Sequence, residues 1–130
     1  EVLRYLSPTN NMWRVVTTDD QIGDVPVAPG DLVLLRYGSA NRDVCKFANP
    51  DEFDIERENA KDHLAFGAGI HTCLGSQLAR KEMITAFPII LDRLSDLQLD
   101  RTQGDFTYLP SVVLRGVTNL NVTYSKRDRS

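Results

Sequence analysis

The pattern of apolar and polar positions divides the 130-residue chain into a β-rich beginning, a polar middle, and a long helix followed by a β-rich tail. Glu1-Val2-Leu3-Arg4-Tyr5-Leu6 reads as the last turns of a helix whose start lies outside the sequence. It should end before Ser7-Pro8, because the proline ring pushes the preceding residue out of helical conformation. Asn10-Asn11 reads as a turn, and Trp13-Arg14-Val15-Val16-Thr17 has the β-branched and aromatic content of a strand. Gln21 to Val27 predicts a hairpin turning at Gly23-Asp24. Ala28-Pro29-Gly30-Asp31 fits a type II turn, with Pro second and Gly third. Leu32-Val33-Leu34-Leu35 is then a buried strand, and Tyr37 to Asn41 fits one or two helical turns.

Residues 36–65 otherwise lose all periodicity and carry Arg42, Asp43, Asp51, Asp54, Glu56 and Arg57. A loop of this length inside a compact domain is usually functional. From Ser76 a helical pattern is clear: Leu78, Phe87, Leu91 and Leu94 lie near one face with Met83, Ile84 and Ile90, opposite Lys81, Glu82, Asp92 and Arg93. Pro88 removes the hydrogen bond to the Ile84 carbonyl, which predicts a kink, and the helix should end near Ser95-Asp96. In the tail, Tyr108-Leu109, Val112-Val113-Leu114 and then Leu120, Val122 and Tyr124 around an Arg115-Gly116 turn predict a second β element. Residues 126–130 read as a charged, frayed end.

Composition narrows this picture without deciding it. Hydrophobic residues make up 42% and charged residues 25%, the balance of a soluble globular domain. A net charge of −3 argues against nucleic acid as a partner. No apolar run reaches the ~18 residues of a membrane span, and no secretory signal is visible. Two cysteines, Cys45 and Cys73, do not make a disulfide framework, so a reduced, cytoplasmic setting is expected.

The chemistry is concentrated in Phe66-Gly67-Ala68-Gly69-Ile70-His71-Thr72-Cys73-Leu74-Gly75. Glycines at this density belong where the backbone turns tightly or approaches something closely. Cys73 stands at the mouth of the next helix, where the dipole and backbone N–H groups favour a thiolate. A lone thiol is most often a buried structural cysteine, but the surrounding glycines weigh against that. Zinc asks for more Cys or His at short spacing than His71 alone provides. A single thiolate suits one axial position on haem iron better.

The pattern F-G-x-G-x-H-x-C-x-G at Phe66–Gly75, followed by Leu78-Ala79-Arg80, resembles the cytochrome P450 family. Glu1-x-x-Arg4 is similar to its E-x-x-R helix motif, and Asn41-Arg42-Asp43 with Phe53-Asp54-x-x-Arg57 to the segment before its haem loop. His63-Leu64-Ala65 looks like its soluble bacterial members. The resemblance covers nearly the whole sequence and implies an α+β fold, mainly α with small β-sheets. This would be the C-terminal part of the family's fold: helix, β-hairpins, meander, Cys-ligand loop, long helix and terminal β-hairpin. Residues 1–130 would be the haem-binding portion of one larger catalytic domain, incomplete when alone.

The same resemblance implies roles for particular residues. Cys73 is the axial thiolate of haem b, iron protoporphyrin IX, with the N–H groups of residues 74–77 directed back at the sulfur. His71 and Arg14 face haem propionates, and Phe66, Gly67 and Gly75 belong to the cofactor-binding loop. Glu1, Arg4 and Arg57 form a structural charge network that holds the polar segment. Thr9, Asn10, Asn11, Met12, Val113 and Leu114 are candidate substrate contacts. Cys45 is left as a loop thiol and His63 as a hydrogen-bonding loop residue. The implied reaction is insertion of one oxygen atom of O2 into a small apolar organic substrate. Electrons would come from NAD(P)H through a reductase and a ferredoxin or flavin partner. Other haem-thiolate chemistries (peroxygenase, isomerase or dehydratase, nitric oxide reductase) and a non-catalytic haem-sensing module stand as alternatives. Substrate identity is not legible.

Overall fold

The computed structural model describes residues 1–104 and 106–127. The fold is α+β: three helices and six short strands alternate with turns, and the strands form three two-stranded antiparallel sheets among the described residues. The chain divides into two compact units, residues 1–67 with 110–115, and residues 68–109 with 116–130.

In the first unit, α1 (Val2–Leu6) ends at Ser7, whose φ of 44° is left-handed. Its stop is therefore a left-handed cap rather than the extended conformation that a following proline usually imposes. Strand β1 (Asn11–Val15) begins two residues earlier than its composition indicates, because Asn11 pairs with Arg36 at the end of β4 (Leu32–Arg36). The Asn10-Asn11 turn is accordingly absent. The N–H of Asn10 instead donates to the carbonyl of Val113 at 2.8 Å, a partner a hundred residues away that local sequence cannot show. β2 (Asp20–Ile22) and β3 (Val25–Val27) form the expected hairpin around Gly23-Asp24, with Gly23 at φ 59°. The next turn closes with the N–H of Asp31 on the carbonyl of Ala28 at 3.0 Å and Gly30 at φ 97°. β4 is only half-buried, with Leu32 exposed, so its apolar run does not mark a core strand among the described residues. α2 (Tyr37–Ala40) is one helical turn.

The buried core lies in this unit and is partly polar. Tyr37, Phe47 and Ala65 are buried, and so are Arg4, Ser7 and Asn41. Burying polar groups is tolerable only when each finds a partner. Every described buried side-chain nitrogen and oxygen has one.

In the second unit, α3 (Ser76–Arg93) runs through Pro88 without interruption. Leu78, Ile84, Phe87 and Leu91 along it are exposed. It ends two residues before the position that periodicity indicates, because Leu94 turns extended and opens β5 (Leu94–Leu99). β5 pairs with β6 (Val122–Lys126), with a register shift between Ser95 and Gln98 and a left-handed Asp96 at φ 54°. The tail thus splits three ways instead of folding about Arg115-Gly116. Residues 107–109 pair with 116–118 as a terminal hairpin, residues 112–114 of the first unit pair with residues 9–11, and β6 pairs with β5. Of the end expected to fray, Lys126 is in β6, and residues 128–130 lie outside the described residues.

Candidate functional site

The boundary between the two units falls between Gly67 and Ala68, inside the glycine-rich loop. Phe66, Gly67 and Arg14 belong to the first unit, and His71, Cys73 and Gly75 to the second. Gly67 and Gly69 have φ of 68° and 65°, a conformation that side chains with a Cβ rarely adopt. These two glycines are present for the turn itself. A 3₁₀ turn over Gly69–His71 follows, closed by the N–H and Oγ1 of Thr72 on the carbonyl of Gly69 at 3.1 and 2.8 Å. The carbonyl of Cys73 then accepts the Ser76 N–H at 3.1 Å, and α3 begins.

Gly75 differs from the other two. Its φ of −82° suits any residue, and a Cβ there would stand 4.0 Å from Cys73 Sγ. That distance is ordinary contact, so among the described residues neither backbone strain nor space requires a glycine here. Cys73 is exposed, three residues before the first turn of α3, whose first N–H groups have no partner inside the helix. The apolar neighbours Ile70 and Leu74 are 98% and 101% exposed. The loop thus leaves a thiol and two aliphatic side chains open to contact.

Among the described residues, no group of three or more His, Cys, Asp or Glu is placed to hold a metal ion. Cys73 would have to share any metal with ligands supplied by the bound group. Haem brings four such ligands, and this donor set fits it at one axial position. His71 is exposed on the same loop. Arg14, on β1, donates from Nη1 to the carbonyl of Trp13 at 2.8 Å. The rings of Phe66 and His63 lie 5.9 Å apart, and His63 Nδ1 accepts the Ala65 N–H at 3.1 Å.

The best-defined geometry belongs to Glu1, Arg4 and Arg57. Arg4 is fully buried. Its Nε and Nη2 donate to the two carboxylate oxygens of Glu1 at 2.7 and 2.6 Å. Nη1 donates to the carbonyls of Asn41 and Pro50 at 2.8 and 2.9 Å, and Nη2 also to that of Glu52 at 3.1 Å. Arg57 Nε donates to Glu1 Oε1 at 3.3 Å, its Nη2 to the carbonyls of Asn49 and Glu52, and its Nη1 to that of Ala48. The N–H of Asp54 reaches Glu1 Oε1 at 3.2 Å. Hydrogen bonding from Arg4 is the main cause that lowers the Glu1 pKa from 4.5 to about 2, against the opposing effect of its burial. Two guanidinium groups, both held by one carboxylate, thus bind five carbonyls between residues 41 and 52. That is how a segment without periodicity keeps one conformation.

Asn41 and Ser7 complete this group, and neither was singled out from the sequence as a member. Asn41 Nδ2 donates to Ser7 Oγ at 2.8 Å, and its Oδ1 accepts the Leu64 N–H at 2.6 Å. Ser7 Oγ donates to the Arg4 carbonyl at 2.9 Å. The sequence signal for Asn41 was its place in Asn41-Arg42-Asp43, the segment resembling the one before the family's haem loop. The candidate substrate contacts also converge: Thr9 bridges Leu114, and the N–H groups of Asn10 and Asn11 both point to the Val113 carbonyl. Met12 is exposed on β1, opposite Leu35.

Residues 1–120 match the family model described as Cytochrome P450. Cytochrome P450 107B1 of Saccharopolyspora erythraea is 42% identical over 123 residues, covering 94% of this chain and 30% of that protein. The steroid C26-monooxygenase of Mycobacterium tuberculosis is 37% identical over 125 residues, covering 96% and 33%. A substrate-free cytochrome P450 of Mycobacterium marinum superposes with a TM-score of 0.93 at 34% identity, covering 97% of this chain and 32% of that structure. The chain spans about a third of the length of the relatives it matches.

Proposed function

The chain belongs to the cytochrome P450 family, and on that premise we propose that it is the haem-binding part of a monooxygenase. The observation that carries the reading is Cys73, a single exposed thiol in a glycine-rich loop directly before α3. Bound iron protoporphyrin, as haem b, would supply the activation of O2. The Cys73 thiolate would hold the iron, and its negative charge would add electron density to it. N–H groups at the start of α3 would hydrogen-bond the sulfur and limit how much charge it donates. Gly67 and Gly69 set the loop's path. Phe66 would shield the sulfur. His71 and Arg14 would each donate to a propionate carboxylate, Arg14 through its guanidinium fork. Glu1, Arg4 and Arg57 take no part in the chemistry. They hold the segment that leads into the ligand loop.

The substrate is a small apolar organic molecule, and Thr9, Asn10, Asn11, Met12, Val113 and Leu114 contribute to its site. One atom of O2 enters a C–H bond and the other leaves as water. The reaction takes up two electrons and two protons, with NAD(P)H as the source through a ferredoxin or flavin partner. A cytoplasmic location follows from that electron source. Turnover under isotopically labelled O2, with the whole haem-loaded protein, a reductase system and a panel of apolar compounds, tests the assignment. A product with a single labelled oxygen, formed with equimolar NAD(P)H consumption, is expected. A product whose oxygen comes from water would overturn it.

A further inference from the structure

Asn41 directly follows α2 and is fully buried, and its side chain joins two segments far apart in the chain. Its backbone is held first: the N–H donates to the Tyr37 carbonyl at 2.9 Å, and the carbonyl accepts Arg4 Nη1 at 2.8 Å. Its Nδ2 then donates to Ser7 Oγ, and its Oδ1 accepts the Leu64 N–H. Chemistry fixes which way the amide faces. Ser7 Oγ gives its hydrogen to the Arg4 carbonyl, so it accepts from Asn41, which leaves Oδ1 for Leu64. A buried position that donates on one side and accepts on the other calls for an amide; a carboxylate lacks the donor, and alanine lacks both.

The bond to Leu64 lies at the entry to the Cys73 loop. The Leu64 carbonyl accepts the Gly67 N–H at 2.8 Å, closing a tight turn over residues 64–67 in which Gly67 takes φ 68°. Leu64 is therefore held at both of its backbone groups, by Asn41 at the N–H and by the turn at the carbonyl. The Ala65 N–H is bound locally, by His63 Nδ1. The Asn41 bond instead reaches across 23 positions of the chain.

We propose that Asn41 is a positioning residue for the ligand loop: by holding the Leu64 N–H it fixes the turn that carries Phe66 and Gly67. Arg4 and Arg57 bind carbonyls between residues 41 and 52 and stop short of the loop. Asn41 carries that fixed frame forward to residue 64. A half-buried N–H that loses its acceptor must turn toward water, and the turn closed by the Leu64 carbonyl opens with it. The inference deepens the haem reading and rests on it for what the loop holds.

Amide hydrogen exchange in the whole haem-loaded protein, reduced and CO-bound so that the iron is diamagnetic, tests it together with the rate of haem transfer to apomyoglobin. Ser7→Ala is the control, because it removes the partner on the other side of the Asn41 amide and leaves that of Leu64. Exchange at Leu64 and Gly67 should be about tenfold or more faster in Asn41→Ala than in Ser7→Ala, the loss of one hydrogen bond to a fixed acceptor. Asn41→Asp keeps an oxygen for the Leu64 N–H and should return Leu64 to the parent's rate. Haem transfer should quicken in Asn41→Ala and not in Ser7→Ala. The exchange rates report the Leu64 bond whatever ligand the iron takes, and the CO-bound spectrum of the parent reports that ligand, so the two readings fail separately. Equal exchange at Leu64 and Gly67 in Asn41→Ala and Ser7→Ala, an Asn41→Asp protein that exchanges as fast as Asn41→Ala, or unchanged haem transfer in Asn41→Ala would overturn the proposal.

Discussion

Replacing Glu1 with Gln removes one negative charge from between two buried guanidinium groups and keeps the side-chain shape. The Glu1 carboxylate accepts from Arg4, Arg57 and the Asp54 N–H, and its side chain is 3% exposed. Its pKa falls from 4.5 to about 2 in the folded chain. At about 1.4 kcal/mol per pH unit, the ionised carboxylate contributes about 3 kcal/mol to stability. Because the folded pKa is the lower one, this contribution is complete above about 4.5 and is lost as pH falls toward 2. Glu1→Gln and protonation of Glu1 neutralise the same group. The parent should thus exceed Glu1→Gln by about 3 kcal/mol at pH 7, within the range for breaking a buried ion pair. That gap should close between pH 4.5 and 2, while all other carboxylates titrate alike in both proteins. Urea unfolding of both whole proteins across this window measures it. A gap that stays constant with pH, or one below about 1 kcal/mol at neutral pH, would refute the argument.

Other positions make separable predictions. Asn41→Ala leaves the Leu64 N–H and the Ser7 hydroxyl without their side-chain partner and should cost about 2–4 kcal/mol in urea unfolding, at roughly 1–2 for each lost bond. Arg57→Lys keeps the charge beside Glu1 but loses the fork that spans three carbonyls, and should cost about 2 kcal/mol with little change in the pH profile. Gly69→Ala forces a Cβ residue to φ 65° and should destabilise by about 1–2 kcal/mol. Gly75→Ala should melt like the parent in thermal unfolding, because its φ is ordinary and the new methyl would meet only Cys73 Sγ, at 4.0 Å.

What could be read from the sequence was whatever is decided locally. The Gly23-Asp24 hairpin, the Pro29-Gly30 turn and the short α2 follow from residues within four positions of each other. The start of α3 followed from the glycine loop before it. The end of α3 did not, because β6 draws Leu94 into a strand from about thirty residues away. The tail was misread for the same reason: residues 112–114 pair with residues 9–11, and turn chemistry says nothing of that. In the ligand loop, sequence alone does not separate the three glycines, whereas Gly67 and Gly69 serve the backbone at φ 68° and 65° and neither φ nor space requires one at position 75. The charge network was visible only as Glu1, Arg4 and Arg57. Its reach to five carbonyls and to Asn41 depends on how the polar segment folds around Arg4, and no periodicity encodes that.

The central claim is that Cys73 is a thiolate ligand to haem iron. The absorption spectrum of the reduced, CO-bound whole protein tests it most directly, measured for the parent and for Cys73→Ala. The account predicts a thiolate-type spectrum in the parent and its loss in the variant. A parent without that spectrum, or a Cys73→Ala protein that keeps it, would contradict the assignment.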